Sequence, residues 1–204
     1  MSEPAEDITR PEYWQAVYDE GKPGWDKGMP APPLERALRQ WTLDGPGPLL
    51  VPGCGLGHEA RLAAGLGHEV LAVDFAPGAI EGLKGQAATG RLEAVQRDIF
   101  SLTPDYDGHF SWVVEHTCFC AIPLARRDEY AGLMHRLLRP GGALVGLFYD
   151  TTRHEGPPFR TRRSDIERHF TPFFSIEHIE RPPDSFENRR GEEWLALLRR
   201  KQRG

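Results

Sequence analysis

Apolar residues along this chain form short runs separated by amphipathic stretches. Short, mostly apolar runs with the length of buried strands lie at 49–52, 69–73, 92–96, 110–114 and 143–149. Helices are predicted near 11–18, 32–41, 58–66, 77–87, 123–138 and 164–169. Strands that alternate with helices predict a parallel sheet covered on both faces. Ligands bind such sheets beyond the carboxyl ends of the strands.

The end of the chain departs from this alternation. Segments 173–180 and 193–199 both have the pattern of strands, and the loop between them, 181–191, is polar and contains prolines. No crossover helix fits in this loop, so the two strands should pair antiparallel. The predicted fold class is α/β: a Rossmann-like, three-layer sandwich whose mostly parallel, seven-stranded sheet ends in a C-terminal antiparallel hairpin.

Composition narrows the class of protein. The chain has 204 residues, 39% of them hydrophobic, and a net charge of −5. These values predict one globular domain and argue against nucleic acid as a partner. No apolar run approaches the roughly 20 residues of a membrane span, and the polar start is no signal peptide. We therefore expect a cytoplasmic protein, a monomer with no membrane partner. The three cysteines have no zinc-site spacing, so no metal is expected.

The turn after the first strand carries the most specific chemistry. Gly53, Gly55 and Gly57 follow an apolar strand, and Asp74 ends the next strand, 21 residues after Gly53 (74 − 53 = 21). Glycines let the backbone approach a ligand closely, and an acidic residue at this place can hold two ribose hydroxyls. The unit predicts an adenosine-bearing cofactor. A tight turn without a ligand, and a helix-capping role for Asp74 before Pro77, are the alternatives.

Three further features separate S-adenosylmethionine from a nicotinamide cofactor. After the third strand, Asp98 can accept a hydrogen bond from an adenine amino group, with Ile99 against the ring. The turn 140–142 (Pro-Gly-Gly) precedes the fifth strand, as is common in class I methyltransferases. Segment 115–122 leaves the fourth strand, where that fold places the methyl acceptor. Together with the terminal hairpin, these features are typical of class I methyltransferases. A nicotinamide-dependent oxidoreductase is the less favoured alternative, and no Walker lysine motif supports nucleotide hydrolysis.

With these residues the chain resembles the thiopurine/thiol and halide methyltransferase family, closest to its halide and thiol branch. The matching positions are Trp14, 24–28, 51–55, Asp74, 98–100, 119–122, Tyr149, 154–158 and 183–185. The resemblance spans nearly the whole chain. It implies a class I methyltransferase fold with S-adenosylmethionine as the cofactor. It also implies a single domain, 1–204, in which a helical lid, 1–45, covers a Rossmann-like core, 46–204.

The resemblance also assigns roles to individual residues. The cofactor would contact Trp14, Tyr18, Trp25, Gly53, Gly55, Asp74, Asp98, Ile99 and His116. The acceptor pocket would contain Trp25, Phe119 and Tyr149. The Tyr149 hydroxyl would orient the nucleophile or accept its proton, and His116 is a candidate general base, although a merely hydrogen-bonded histidine is the alternative. His116, Cys118 and Asp150 depart from the family pattern close to the expected acceptor site.

The reaction expected from this resemblance is a direct in-line displacement. A thiolate, hydrosulfide, thiocyanate or halide would attack the methyl group of S-adenosylmethionine and leave S-adenosylhomocysteine. Such soft nucleophiles need little activation at neutral pH, so positioning and desolvation would supply most of the catalysis. The alternatives are a thiopurine, a selenium or tellurium species or an O- or N-acceptor with the same cofactor, and a non-catalytic protein that binds S-adenosylmethionine.

Overall fold

The computed structural model describes residues 7–21, 23–42, 45–86, 90–153 and 155–202. The helices are α1 (Pro11–Asp19), α2 (Pro32–Trp41), α3 (His58–Gly65), α4 (Pro77–Lys84), α5 (Arg127–Leu137) and α6 (Arg163–Phe170). The strands are β1 (Pro48–Pro52), β2 (Glu69–Asp74), β3 (Arg91–Gln96), β4 (Phe110–His116), β5 (Leu138–Tyr149), β6 (Phe174–Glu180) and β7 (Glu193–Arg200). Short 3₁₀ turns occur at Ile99–Ser101, Leu124–Arg126 and Glu187–Arg189.

All seven strands form one sheet in the order β3-β2-β1-β4-β5-β7-β6. The pairs from β3 to β5 are parallel, whereas β7 pairs antiparallel with both β5 and β6. The predicted antiparallel ending is therefore confirmed. The strand order reverses between β1 and β4, and a ligand site in such a sheet lies outside the carboxyl ends of the strands at this switch point.

Strand alternation divides the core between the two faces of the sheet. Leu49 and Val51 of β1 pack in the cluster that contains α2, α3 and α4, whereas Leu50 points into the cluster that contains α5 and α6. All three side chains are buried. Each contributes about 1.5–3 kcal/mol when fully removed from water. The result is the three-layer arrangement that the sequence predicts.

The fifth strand begins earlier than predicted. β5 extends back to Leu138, which pairs with Phe110 of β4, and the register shifts before Trp112. The Pro-Gly-Gly sequence therefore lies inside an irregular strand rather than in a turn ahead of it. Gly141 has φ 78°, and a Cβ on Gly142 would lie 3.0 Å from the carbonyl oxygen of Ser111. Pairing with β4 thus overrides the local turn preference.

Helix α1 lies against α4. The Gly78 amide donates to Gln15 Oε1 at 2.7 Å, and a Cβ on Gly78 would lie only 2.9 Å from Cβ of Tyr18. Helix α2 behaves differently, because Leu34 and Leu38 are fully buried in the core. Within the predicted lid 1–45, α2 is thus part of the core. No helix in the described part of the chain is both long and apolar enough to span a membrane.

Candidate active site

A cavity of about 420 Å³ lies at the carboxyl edge of the sheet, beneath α1. Its wall contains nine of the residues named from the sequence: Trp14, Tyr18, Trp25, Gly53, Gly55, Asp74, Asp98, Ile99 and Tyr149. These positions are spread over more than 130 residues of sequence (149 − 14 = 135). The sheet brings six of them together because parallel strands deliver their carboxyl ends to one edge, while α1 and the loop after it supply Trp14, Tyr18 and Trp25.

The glycine turn after β1 forms the floor of this cavity. Gly53 has φ 56° and Gly55 has φ 52°, in the left-handed region that favours glycine. A Cβ on Gly53 would lie 2.8 Å from Sγ of Cys118, so a larger residue would not fit. Asp74 fixes the turn, because its carboxylate accepts hydrogen bonds from the amides of Gly55 and Ala76, both at 3.0 Å. Burial raises the pKa of Asp74, and these hydrogen bonds only partly offset the shift.

Three aromatic side chains close one side of the cavity. The Trp25 ring makes edge contacts with Trp14 at 5.6 Å and with Tyr18 at 5.8 Å between centroids. The Trp14 indole donates to the carbonyl of Ile8 at 2.8 Å. Burial raises the pKa of Tyr18 above its ordinary value, and the nearby carboxylate of Asp74 adds a smaller shift in the same direction. Its hydroxyl is therefore neutral, and the cluster presents broad, mostly apolar faces.

The wall beyond β3 is a platform in which the apolar side chains of Ile99 and Phe100 lie beside the carboxylate of Asp98 and the cations of Arg97 and Arg126. Asp98 accepts a hydrogen bond from the Phe100 amide at 2.9 Å and so begins the 3₁₀ turn. Ile99 lines the cavity beside it, and the Arg126 guanidinium stacks 3.6 Å above the Phe100 ring. Asp98 also lines the cavity, as the adenine-binding expectation requires. The same residue therefore shapes its turn and faces the cavity.

The opposite end of the cavity contains a buried cation that the sequence analysis did not single out. Arg189 is 5% exposed, and its guanidinium lies 4.5 Å from the centroid of the Tyr149 ring. It forms an ion pair with the buried Glu193 at 3.4 Å. The Tyr149 hydroxyl donates to Glu192 Oε2 at 3.3 Å. Arg189 was missed because it lies in a polar loop with other arginines, and only its i, i+4 spacing to Glu193 suggested a pairing.

His116 is not part of this cavity wall. It lines a side crevice of about 40 Å³ that shares Trp25, Gly53 and Gly55 with the cavity. Its Nδ1 lies 2.9 Å from Glu59 Oε1, which also accepts from the Ala31 amide at 3.0 Å. Burial lowers the pKa of His116, but the Glu59 carboxylate outweighs this and raises it overall. An imidazole outside the cavity whose protonated form is stabilised by a buried carboxylate is poorly suited to act as a general base.

Phe119 is also placed differently from the sequence expectation. It is fully buried against Tyr130, Phe148 and Phe170, so it packs the core instead of lining the acceptor pocket. The turn at Thr117, with φ 60°, redirects the chain, and the Phe119 amide donates to the buried Glu115 carboxylate at 2.7 Å. The neighbouring thiols of Cys118 and Cys120 line the cavity instead.

Burial raises the pKa of both cavity thiols, that of Cys120 to about 12. They are therefore neutral lining groups rather than nucleophiles. In the family-like segment 154–158, Pro157 and Pro158 line the cavity, whereas His154 lies outside the described residues. Across the described ranges, no three His, Cys, Asp or Glu side chains are grouped so that they could hold a metal ion.

Comparison with known proteins agrees with this geometry. The model of the thiopurine S-methyltransferase family matches residues 9–202. Thiocyanate methyltransferase 1 of Brassica oleracea is 31% identical over 189 residues, which are 90% of this chain and 82% of that protein. Thiopurine S-methyltransferase of Pseudomonas fluorescens is 27% identical and covers 84% of this chain and 86% of its own length.

A solved structure supports the fold assignment. The 1,6-didemethyltoxoflavin-N1-methyltransferase of Burkholderia thailandensis, with S-adenosylhomocysteine bound, matches 99% of this chain and 94% of its own at a TM-score of 0.75 and 17% identity. The predicted class I methyltransferase fold is confirmed. Because the family model covers almost the entire chain, this protein belongs to the thiopurine S-methyltransferase family.

Proposed function

We propose that this methyltransferase transfers the methyl group of S-adenosylmethionine to a small, soft, anionic nucleophile: a thiolate, hydrosulfide, thiocyanate or halide. The observation that carries the proposal is Arg189, a buried cation beside Tyr149 at one end of the cavity. Among the described residues its guanidinium donates to Glu193 through Nη1 alone, at a long 3.4 Å, so its other N–H groups remain for an anion. A site shielded from water strengthens that attraction relative to solvent. The thiocyanate methyltransferase of Brassica oleracea supports this acceptor class.

The other end of the cavity suits the cofactor. Asp74 would hold the ribose, and Asp98 with Ile99 would hold the adenine. Gly53 and Gly55 keep the floor free of side chains, so a ligand can approach the backbone closely. S-adenosylmethionine supplies an activated methyl group on a sulfonium, and the faces of the lid aromatics are suitable neighbours for that cation.

The acceptor end needs to bind and orient the nucleophile and to exclude water from it. A soft anion at neutral pH carries no proton that must be removed, so a general base is not required. Arg189 would attract the anion, and Tyr149 would orient it through its hydroxyl. Helix α1 and the aromatic cluster cover the cavity, which removes water from the nucleophile and strengthens the electrostatic interactions.

For His116 we propose a place at the cofactor end. Its Nδ1 is paired with Glu59, and its Nε2 is buried with no hydrogen-bond partner among the described residues. The crevice it lines also includes Gly53 and Gly55 of the glycine turn and Trp25 of the aromatic cluster. An imidazolium held in this way would donate Nε2–H to an anionic group, such as the carboxylate of the cofactor.

The decisive experiment measures S-adenosylhomocysteine release with a panel of acceptors: iodide, bromide, thiocyanate, hydrosulfide, small thiols and a thiopurine. Turnover with the small anions supports the proposal, and preference for the thiopurine would assign the protein to the other branch of its relatives. Binding of the cofactor without turnover on any acceptor would contradict it. The full acceptor profile therefore identifies the branch as well as the activity.

A matched pair of variants tests the role of Arg189. Arg189→Gln should raise the KM for anionic acceptors about tenfold or more, which corresponds to about 1.4 kcal/mol. Its affinity for S-adenosylhomocysteine should stay within about twofold. Arg190→Gln removes the same charge from the adjacent, exposed position and should behave like the unmodified protein. Equal losses in both variants would show that net charge, and not the buried guanidinium, matters.

A further inference from the structure

Asp150, the residue directly after Tyr149, is a buried carboxylate with three side-chain donors. Its Oδ1 accepts from Arg160 Nε at 2.7 Å. Its Oδ2 accepts from an Arg181 guanidinium nitrogen at 2.6 Å and from Trp194 Nε1 at 3.2 Å. The side chain is only 5% exposed. Such a fully engaged buried anion holds its partners in one geometry.

The third donor of Asp150, Trp194, lies in β7, and its two arginine donors belong to two different segments. Arg160 lies in the first wall segment, residues 151–153 and 155–162, which follows β5. Arg181 begins the second wall segment, residues 181–192, which connects β6 to β7. The Arg181 guanidinium also stacks on the Trp194 ring at 4.1 Å, and the Asp150 amide donates to the carbonyl of Glu192 at 2.7 Å. One carboxylate therefore joins two segments that are far apart in sequence.

Both wall segments supply the acceptor end of the cavity. The first contributes Pro157 and Pro158, and the second contributes Asn188 and Arg189. Within the described part of the chain, none of these four residues forms a hydrogen bond, ion pair or ring contact with the glycine turn or with the Asp98 platform. Arg127 holds the carbonyls of Phe159 and Arg160 at 3.1 Å, and the joint between the two segments is the second determinant of where the acceptor-end wall lies relative to Tyr149.

We propose that Asp150 is a positioning residue that joins the two wall segments and thereby sets the geometry of the acceptor end. The inference rests on the proposed function in one respect, since it takes the Tyr149–Arg189 end as the place where the acceptor binds. Asp150 itself does not line the cavity. It acts through the segments that carry Arg189 and the two prolines.

The charge balance favours this role. Burial alone would raise the pKa of Asp150, but hydrogen bonds from Arg160 and Arg181 outweigh burial and lower it. The carboxylate is therefore ionised at neutral pH and keeps both guanidinium groups in place. Arg160 and Arg181 are themselves about 40% exposed, so each would remain hydrated if the carboxylate were neutralised. Loss of the charge should loosen the two segments without unfolding the core.

The test compares Asp150→Asn with the unmodified protein. Its KM for the acceptor should rise about tenfold or more, since small displacements of positioning groups have effects of this size. Its affinity for S-adenosylhomocysteine should change by less than about twofold, because the cofactor end is separate. Amide hydrogen exchange should become faster in residues 155–162 and 181–192 only. Asp107→Asn, which breaks the 2.6 Å Arg136–Asp107 pair elsewhere on the surface, should leave KM and exchange unchanged.

Two single-segment variants keep the proposal testable if Asp150→Asn fails to fold. Arg160→Gln should speed exchange in the first wall segment, and Arg181→Gln in the second, each with a rise in acceptor KM. An unchanged acceptor KM together with unchanged exchange would overturn the proposal. Parallel losses of cofactor and acceptor affinity would overturn it as well, because they would indicate a general structural role. If the unmodified protein turned over no acceptor, the proposed function would fail, whereas the exchange data would still decide whether Asp150 joins the segments.

Discussion

At the residue scale, the described active-site region relies on buried charges whose partners are defined. Arg189 has Glu193, His116 has Glu59, and Asp150 has two arginines. Burying such a group without a partner costs several kcal/mol, so each pair must form as the protein folds. The free atoms in this region, such as the buried Nε2 of His116, are consequently the places where a ligand can contribute hydrogen bonds.

Tyr149→Phe tests the hydroxyl at the acceptor end. We expect kcat/KM for the acceptor to fall about tenfold because the orienting group is lost. The melting temperature should change little, because the Tyr149–Glu192 hydrogen bond is long and worth about 0.5–1.5 kcal/mol at most. Steady-state kinetics with thermal unfolding checks both. Tyr106→Phe, outside the cavity, is the control, and a Tyr149→Phe enzyme with unchanged kcat/KM would exclude a role for the hydroxyl.

The buried carboxyl group of Glu115 should make the stability of the protein depend on pH in a specific way. Burial raises its pKa from 4.5 to about 7, despite a hydrogen bond from the Phe119 amide. Because the folded state holds this proton more tightly than the unfolded state, stability is lost as pH rises from about 4.5 to about 7. The loss amounts to about 3 kcal/mol for a shift of this size.

Glu115→Gln removes this dependence. The free energy of unfolding of the variant, relative to the unmodified protein, should increase steadily between pH 5 and pH 8. Urea denaturation at several pH values measures it. Glu93→Gln, at an exposed position on β3, serves as the control. A pH-independent difference between Glu115→Gln and the unmodified protein would contradict the buried, proton-binding carboxyl.

At the scale of elements, α1 covers the cavity but has little packing of its own. None of its residues is buried, and it touches α4 through the close approach of Tyr18 and Gln15 to Gly78. Its position therefore depends on a few contacts and on the aromatic cluster with Trp25. Elements held by so few buried contacts open with a low free energy.

Gly78→Ala should displace α1. The added Cβ would meet Cβ of Tyr18 at 2.9 Å, so the helix must shift away from α4. We expect S-adenosylhomocysteine to bind about tenfold more weakly, because Trp14 and Tyr18 move with the helix. Calorimetric titration measures the affinity. Gly85→Ala is the control, because Gly85 follows the last turn of α4 and its added Cβ would lie near only the backbone of α4 itself. This variant should bind S-adenosylhomocysteine normally. Normal binding by Gly78→Ala would exclude closure by α1.

At the scale of the whole molecule, the sheet brings two half-sites together. The strands β1 and β2 supply the glycine floor and Asp74, while β5 and the loop before β7 supply Tyr149 and Arg189. A ligand that spans the switch point between them contacts both halves of the fold. Binding should therefore stabilise the molecule as one cooperative unit.

S-adenosylhomocysteine at 100 times its Kd should raise the free energy of unfolding by about 2.7 kcal/mol. For a protein of this size the melting temperature should rise by about 5–10 °C. Thermal unfolding followed by tryptophan fluorescence measures it, with NAD as the control ligand. Stabilisation by NAD and none by S-adenosylhomocysteine would contradict the cofactor assignment.

Local patterns were sufficient to predict the features that depend on one strand and the turn after it. The glycine turn, Asp74 and the antiparallel ending follow from adjacent residues. The family resemblance placed Phe119 and His116 at the site, but the turn at Thr117 sends Phe119 into the core, and pairing with Glu59 holds His116 in the side crevice. The start of β5 depended on its pairing with Phe110, and the burial of Arg189 on Glu193 and Tyr149. These are tertiary effects that a single sequence does not specify.

The two thiols in the cavity wall raise the question of why the protein would not methylate its own cysteines. Cys118 and Cys120 line the same cavity in which we propose that a soft nucleophile is methylated. Burial raises the pKa of Cys120 to about 12, so its thiol stays protonated near neutral pH. Neutral thiols are poor nucleophiles. Under the proposed function, keeping these two thiols protonated would protect them from methylation, whereas a substrate that arrives as an anion would react.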